Sequence, residues 1–358
     1  MKRIVPIVLL AAACAGMWFL PGPRKLAESC GETSRAEVVE VDDTGLQLHG
    51  LVEFGTQKLK VRLPDGSVRP AFNEIRAQME LDKKFRVGDT ALVVLGDDPL
   101  VARDHWRLGW MSVLFGGFAL LLLAFGGWTG LKALFSFVFS CFAVWKLLIP
   151  LSLSGWSAGW TSFGVVSILT AVIMYLVAGW TRKGFAAFLG AILGVVVSLG
   201  LAEFFAAALH VNGATMPFVQ TLLYSGYVDL GLADVFTGAV ILASSGAVMD
   251  LAMDIASAVE EVARHNLGLS RRELLLSGLR VGRSVVGTMT TTLLLAYSGG
   301  YLTLLMVFAA QGTHPLDFVN STLVSAEIVK TLVGSFGLVL VAPFTALVSA
   351  ALSRRPHA

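Results

Sequence analysis

Apolar segments of membrane-spanning length dominate the chain from Leu108 onward. Each is about 20 residues long, which is the length that an α-helix needs to cross the hydrocarbon core of a bilayer. The 358 residues are 55% hydrophobic and only 15% charged, whereas about a quarter of the residues in an average soluble protein are charged. The sequence therefore predicts an α-helical polytopic membrane protein that resides in a lipid bilayer.

We expect about eight spans, and glycine, tryptophan and small residues are frequent in them, which suits close helix packing and interfacial anchoring. Seven of the spans are placed at residues 108–126, 129–150, 158–180, 185–209, 231–258, 284–311 and 331–352. The eighth is an N-terminal segment at residues 1–21. Small residues before Cys14 are compatible with a cleaved signal, but the apolar run continues past Cys14, which favours an uncleaved anchor.

The charged residues concentrate between the first span and the second, which predicts a separate polar domain at 22–106 and a membrane domain at 107–358. Residues 59–63 alternate apolar and polar side chains, as a half-buried β-strand does. We expect a small β-rich domain, for which a five-stranded barrel of the OB type is one fitting fold. A short helix is expected at 73–84.

Several functional classes are disfavoured by the composition and motifs. The net charge of +2 and the lack of a basic stripe argue against nucleic-acid binding. Cys14, Cys30 and Cys141 are dispersed, so neither a disulfide framework nor a metal-type cysteine spacing is present. No phosphate-binding loop or protease motif occurs. We therefore expect no cofactor and no enzymatic activity, and the sequence leaves open whether a metal is bound.

Basic residues indicate the orientation of the spans. With eight spans, the basic residues at positions 2–3, 182–183, 264–283 and 354–355 fall on one side of the membrane, and the opposite loops 151–157, 210–230 and 311–317 carry none. The positive-inside rule then predicts a cell (inner) membrane protein with both termini cytoplasmic and residues 22–106 extracytoplasmic. The mixed charges of residues 22–106 do not contradict this, because long translocated domains escape the rule. An amphipathic helix near 270–281, with a capping box at Ser270 and Glu273, is expected to lie on the inner membrane surface.

Two carboxylates lie where the flanking sequence predicts hydrocarbon. Asp250 and Asp254 are four residues apart, so they share one face of a helix. A charge at mid-bilayer costs roughly 2.5 kcal/mol or more unless it meets protein, water or a counter-ion. We therefore expect Asp250 to face the bundle interior as part of a cation or proton site. The alternative, stronger for Asp254, places the helix end at the aqueous surface.

Polar residues of the following span extend this candidate site. Arg283 is the expected counter-charge for the acids, although a snorkelling interfacial arginine is the alternative. Thr288 and Thr292 share a face and can contribute hydroxyl ligands, or they can simply bond their own helix carbonyls. A helix break is expected after Gly299-Gly300, of the kind that marks binding sites in transporters or a simple kink.

Glu327 and Lys330 lie one helical turn apart at the entrance to the last span. They are further candidates for solute or ion binding, and a local ion pair is the alternative.

Dispersed motifs occur along nearly the whole chain. They are Leu81-Asp82, Val87-Gly88-Asp89, the run 128–134, Ser245-Gly246-Ala247-Val248-Met249-Asp250, Ile255-Ala256-Ser257, Ser277-Gly278, Gly282-Arg283, Gly287-Thr288-Met289, Leu295-Ala296-Tyr297, Glu327-Ile328 and Val333-Gly334-Ser335. Together they give the chain a resemblance to the YibE/F-like family of multi-pass membrane proteins. The chain departs from the family pattern at Asp254, where serine is common, and at Ser284, where an acid is common. The resemblance implies a helical membrane protein with an extracytoplasmic domain. It does not indicate a substrate.

Two functions compete on these observations. The first is a transporter or channel for a small solute or cation, centred on Asp250. The second is a non-transporting scaffold or partner subunit that recruits envelope proteins through residues 22–106, with the polar residues fixing helix register. An oligomer is compatible with either function.

Overall fold

A computed structural model describes residues 12, 14–17, 19, 31–79, 81–266 and 268–353 of the chain. The chain divides into two compact units that meet in sequence at Gly127 and Trp128. Most of the predicted N-terminal anchor lies outside the described residues. Of that segment, Met17 is buried in a cluster with Phe139 and Leu148 of the second unit.

The first unit contains a β-sheet domain that closes on itself. Its strands are β1 (Thr33–Asp42), β2 (Leu46–His49), β3 (Val52–Arg62), β4 (Val68–Arg76), β5 (Thr90–Val94) and β6 (Leu100–His105). Strands β1, β3, β4, β6 and β5 pair in a ring, and β2 extends it as a hairpin with β3. Within the ring, β4 and β6 are parallel and the other pairs are antiparallel. The predicted β-rich domain is therefore confirmed as a barrel-like sheet.

Strand β3 follows the predicted alternation. Leu59 and Val61 are buried in the barrel core, because successive side chains of a strand point to opposite faces. Lys60 and Arg62, which alternate with these residues along β3, point outward. They form ion pairs with Glu40 and Glu37 on β1, respectively. In residues 59–63, the apolar side chains thus face the inside of the barrel and the basic side chains face the outside.

The prediction of a helix at 73–84 is wrong, because Asn73 belongs to strand β4. The Asn73 side chain instead takes part in a buried hydrogen-bond network. The Asn73 amide donates to the Lys83 carbonyl at 2.6 Å and to Gln57 Oε1 at 3.1 Å. Gln57, fully buried, in turn donates to the Phe85 carbonyl and accepts from the Phe85 amide. These bonds fix the segment after β4 as a return loop along the barrel.

Apolar helices make up the rest of the structure. They are α1 (Leu108–Ala143), α2 (Ile149–Leu153), α3 (Ala158–Ala178), α4 (Arg182–Ala208), α5 (Val219–Tyr224), α6 (Leu232–His265), α7 (Arg271–Gly300), α8 (Leu302–Ala310), α9 (Pro315–Asn320) and α10 (Thr322–Leu352), with a π-helical turn at 144–148 that joins α1 to α2. Their length and composition are those of a multi-pass membrane protein.

The predicted eight spans are not confirmed by the described residues. Five helical stretches are long and apolar enough to cross a membrane, or six if α7 and α8 count as one span across a 66° bend. The spans predicted at 108–126 and 129–150 join into one stretch, Leu108–Leu153. They are separated only at Gly127, whose φ of 51° and ψ of −123° are not helical and are readily adopted by glycine.

Helix α6 lies at the centre of the second unit and contacts α3, α4, α7 and α10. Val248, Leu251 and Ile255 are fully buried on its inner side. Glycines allow the neighbouring helices to lie close together. At Gly282 of α7 there is no room for a side chain, because an added methyl group would lie only 2.8 Å from the Ala342 side chain of α10. Small residues at helix crossings allow such close backbone approach within a membrane.

The amphipathic helix predicted near 270–281 is not a separate surface element but the first turns of α7. Gly278 packs against Val259 and Ala346, and Leu274 is buried in the core, so this segment belongs to the bundle. Its predicted start is confirmed. The Glu273 amide donates to the Ser270 hydroxyl, and the Ser270 amide donates to the Glu273 carboxylate at 2.7 Å.

Candidate functional site

The register of α6 against α7 decides which polar residues meet. Gly278 packs against Val259, and Gly282, one turn later, packs against Ile255, one turn earlier. The two helices are therefore antiparallel neighbours. Counting five residues from Gly282 toward the end of α7, and five from Ile255 toward the start of α6, puts residues 287–288 at the height of Asp250. Of the predicted acids and threonines, Asp250 and Thr288 consequently lie at matched heights along the bundle.

Asp250 and Asp254 share one face of α6, as their spacing predicts, but this face is the outer one. Both residues are exposed on the surface of the described bundle, whereas Leu251 and Ile255 point into its core. Thr288 and Thr292 of α7 are exposed as well. We refer to these four exposed residues of two neighbouring helices, Asp250, Asp254, Thr288 and Thr292, together as the polar face.

The expected interior position of Asp250 and its expected pair with Arg283 are therefore wrong for a single copy of the chain. Among the described residues, neither Asp250 nor Asp254 has a hydrogen bond or ion pair with another side chain. Arg283 follows the bundle-facing Gly282 and is itself exposed. The inner side of α6 is occupied by apolar contacts with four helices, which leaves the acids on the opposite side.

The threonines of the polar face are hydrogen-bonded within their own helix. The Thr288 hydroxyl donates to the Val285 carbonyl at 2.9 Å, and the Thr292 hydroxyl donates to the Thr288 carbonyl at 3.0 Å. These bonds use the hydroxyl hydrogens only, so each oxygen keeps lone pairs that can accept a hydrogen bond or coordinate a cation.

A second polar cluster lies on the side of α7 that faces α10. Lys330 Nζ lies 2.8 Å from Glu327 Oε1, and the two side chains are 19% and 21% exposed. This is the local ion pair that the spacing allowed as an alternative. The Tyr297 hydroxyl is buried without a hydrogen-bond partner among the described residues, and it lies 3.4 Å from the position of a methyl group on Gly334. We refer to Glu327, Lys330 and Tyr297 as the interior cluster.

Tyr297 is a candidate that the sequence interpretation did not select. The available signal was a phenolic hydroxyl within an apolar span, a group that usually finds a polar partner when buried. Glu327 is close enough to act electrostatically on the Tyr297 hydroxyl. The packing of α7 on α10 is what brings these two residues together, and no local sequence pattern encodes it.

Lys132 of α1 makes a specific contact with the end of another helix. Its ammonium donates a hydrogen bond to the Leu176 carbonyl at 2.9 Å, in the last turn of α3. A cation at this position satisfies a free helix-end carbonyl and complements the negative end of the helix dipole. The Lys132 hydrogen bond therefore links α1 to the C-terminal end of α3.

The predicted helix break after Gly299-Gly300 is confirmed by the 66° bend between α7 and α8. Within the described ranges, no group of three or more histidine, cysteine, aspartate or glutamate side chains is arranged to hold a metal ion. The polar face and the interior cluster are thus the two places in the bundle where the predicted site residues gather.

Comparison with known proteins identifies one family. The profile of a family described as "YibE/F-like protein" matches residues 114–355. No curated protein and no solved structure matches the chain. The matched range includes α3 to α10 and with them both groups of polar residues.

Proposed function

This chain belongs to the YibE/F-like family, and from that premise and the geometry of its helices we propose that it is a membrane transport protein for a cation or another small solute. The polar face carries the proposal. It places two carboxylates and two threonine hydroxyls on the outer side of helices that are otherwise long and apolar.

Exposure of these groups to lipid is unfavourable. A carboxylate at the centre of a bilayer costs roughly 2.5–3.5 kcal/mol on insertion scales, and Asp250 and Asp254 have no counter-charge in contact within the described chain. The polar face must therefore meet water, a counter-ion or another polypeptide. A membrane-depth surface with this requirement is typical of a solute or ion pathway.

The chemistry of the polar face suits a hard cation or a proton. Carboxylate and hydroxyl oxygens are the ligands that such cations prefer, and the register of α6 against α7 puts Asp250 and Thr288 at the same height along the bundle. We propose that a second copy of the chain, or another membrane subunit, covers this face and closes the pathway between the two polypeptides.

A transport role is more consistent with these groups than catalysis. Among the described residues, no serine, threonine or cysteine side chain hydrogen-bonds to a histidine, an arrangement that activates many nucleophiles. We accordingly propose that the protein is not an enzyme.

We also propose the location and domain type. With residues 108–126 and 129–150 as separate crossings on either side of the break at Gly127, the distribution of basic residues supports a location in the cell (inner) membrane, with cytoplasmic termini and an extracytoplasmic domain at 22–106. The ring order β1-β3-β4-β6-β5, with one parallel pair, supports assignment of that domain to the OB type, a small Greek-key barrel.

Flux measurements on reconstituted protein test the transport proposal. Purified protein in liposomes is assayed for proton flux with an internal pH-sensitive dye, and for sodium and potassium flux with ion-selective dyes. The wild-type protein should conduct at least one of these ions above empty liposomes, and Asp250→Asn should abolish that flux. Asp317→Asn, which alters an exposed acid of α9, is the matched control. Unchanged flux in Asp250→Asn would exclude the polar face as the pathway.

A partner subunit without transport activity is the second candidate, because an uncovered polar face also suits a site of assembly. In that case no ion flux is seen and the face is buried against another protein. A cysteine at Gly246, which is exposed on the same side of α6, should then cross-link to that protein in membranes. Deletion of residues 24–106 should abolish its recruitment, whereas Asp250→Asn should not.

A further inference from the structure

A cavity of about 420 Å³ opens where three helix ends meet, away from both groups of polar residues described above. Arg182 and Lys183 at the start of α4, Glu260 and Arg264 near the end of α6, and Ser349 near the end of α10 all line it. We refer to it as the helix-end cavity. Because α4 and α10 are candidate spans of 27 and 31 residues, we expect their ends at the helix-end cavity to lie near the lipid headgroups.

Positive charge dominates the lining of the helix-end cavity. It holds three cations and one carboxylate. Lys183 pairs with Glu260 at 3.2 Å, and Arg264 pairs with Glu261 at the surface. Arg182 donates to the Leu352 carbonyl at 3.1 Å, a neutral partner. The lining therefore carries two more cations than carboxylates, and one positive charge remains in excess when Glu261, the partner of Arg264, is counted. Most of the polar side chains of the lining are hydrogen-bond donors.

Ser349 is the observation that points to a ligand. Its side chain is 8% exposed and lines the cavity, yet its hydroxyl has no hydrogen-bond partner among the described residues. A buried hydroxyl without a partner costs free energy of about 1–3 kcal/mol. An acceptor-rich anion in the cavity would remove that cost and neutralise the excess charge at once.

We propose that the helix-end cavity binds a phosphate group, either as the headgroup of an anionic phospholipid or as free phosphate. Basic pockets between membrane helices at headgroup level are suited to such groups. Arginine forks offer bidentate bonds to phosphate oxygens, and the enclosed Ser349 hydroxyl would supply a further donor on rotation of its side chain toward the cavity. The proposal is independent of the transport proposal, since the helix-end cavity shares no residue with the polar face.

Binding to charge-matched variants tests this site. The protein is placed in phosphatidylcholine nanodiscs with and without phosphatidylglycerol, and lipid retention is read by native mass spectrometry. Inorganic phosphate is titrated separately into the phosphatidylcholine sample by calorimetry. The variant Arg182→Gln/Arg264→Gln should weaken binding by about thirtyfold, the effect of two basic groups at an anionic surface. The control Arg271→Gln/Arg272→Gln removes two exposed arginines outside the cavity and should bind normally.

Glu260→Gln distinguishes ligand binding from a structural role. Removal of this carboxylate frees Lys183 and should strengthen phosphate binding, whereas loss of an ion pair that only supports the fold would weaken it. If the arginine variant does not stay monodisperse, Ala263→Phe keeps every charge, fills the cavity from its wall and should abolish binding.

Selective loss of phosphatidylglycerol retention identifies a lipid site, and selective loss of phosphate binding identifies a site for free phosphate. Equal binding by the arginine variant and its control, or weaker binding by Glu260→Gln, overturns the proposal.

Discussion

Gly190 of α4 lies directly against Thr345 of α10, so that a methyl group on Gly190 would overlap the threonine side chain. One turn along α4, a methyl group on Gly194 would lie 3.2 Å from the Gly337 carbonyl oxygen. The spacing Gly190-x-x-x-Gly194 is the small-residue pattern that allows two membrane helices to approach closely. This contact joins the helix that carries the interior ion pair to the rest of the bundle.

Replacement of this glycine should therefore destabilise the protein. We expect Gly190→Ala to lower the free energy of unfolding by about 1–3 kcal/mol through overpacking. Gly200→Ala, on the same helix with nothing within 4 Å of the added methyl group, should be neutral or slightly stabilising. The apparent melting temperature of the purified variants checks both. Equal melting temperatures would show that α4 and α10 are not this close.

The Glu327–Lys330 pair should behave as a coupled unit. Glu327→Gln or Lys330→Met alone should cost on the order of 2–3 kcal/mol, because each leaves a shielded charge without its partner. The double variant should cost less than the sum of the two single changes. A double-mutant cycle on thermal stability measures this coupling.

The exposed pair Glu261–Arg264, with side chains 53% and 70% exposed, is the control and should show coupling of less than about 1 kcal/mol. Strict additivity at Glu327 and Lys330 would contradict a shielded ion pair.

Lys132 should be needed to hold α1 against α3. Lys132→Met removes the hydrogen bond to the Leu176 carbonyl and the charge at the helix end, at a cost of about 1–2 kcal/mol. Hydrogen exchange should then increase selectively in the last turn of α3, as seen by mass spectrometry. Lys132→Arg, which keeps the charge and the donors, should retain most of the protection. If the last turn of α3 exchanges no faster in Lys132→Met than in Lys132→Arg, Lys132 does not have this role.

The buried amide network should dominate the stability of the barrel. Gln57→Leu leaves the Phe85 backbone groups and the Asn73 amide without their partner, and each unsatisfied buried group costs about 1–3 kcal/mol. Protection of β3 against hydrogen exchange should fall sharply. Gln47→Leu alters an exposed glutamine of β2 and should leave β3 protected. Equal protection of β3 in the two variants would contradict a dominant role for the network.

The turn after β1 should contribute to acid sensitivity. Hydrogen bonds from the Thr44 hydroxyl, at 2.6 Å, and from its amide hold the pKa of the Asp42 carboxyl below its ordinary value. Because the folded-state pKa is lowered, this stabilisation is complete above the unfolded-state pKa and is lost as pH falls through the folded-state pKa.

Thr44→Val should raise the pKa of Asp42 toward its ordinary value, as carboxyl-carbon NMR titration would show. Asp65, whose pKa Ser67 lowers in the same manner, is the internal control and should not change.

The extent of the helices could be predicted where composition alone decides it. Segments of about 20 apolar residues predict α3, α4 and α10. The predicted start of α3 and end of α10 are observed, whereas α10 begins earlier than predicted, at Thr322. The span predicted to end at 258 continues to His265 because Glu261 pairs with Arg264 and His265 at 2.7 Å each, and such pairs stabilise a helix outside the membrane.

The surroundings of Asp250 could not be predicted from the sequence. In a membrane helix both the lipid-facing and the protein-facing sides are apolar, so periodicity does not show which side packs. Helix α6 turns Leu251 inward and Asp250 outward, an outcome set by four neighbouring helices. The contact of Tyr297 with Gly334 is likewise nonlocal, since it joins two helices that are separated by α8 and α9.

The bend after Gly300 limits how α8 can contribute to a crossing. Nine helical residues measure about 14 Å, and a turn of 66° leaves only about 6 Å of that along the direction of α7. Residues 283–300 of α7 already rise about 27 Å, close to the full hydrocarbon thickness. With α7 upright, α8 would add almost no depth and would lie nearly in the membrane plane. Its exposed Leu302, Met306 and Val307 would then rest among the acyl chains just below the headgroups.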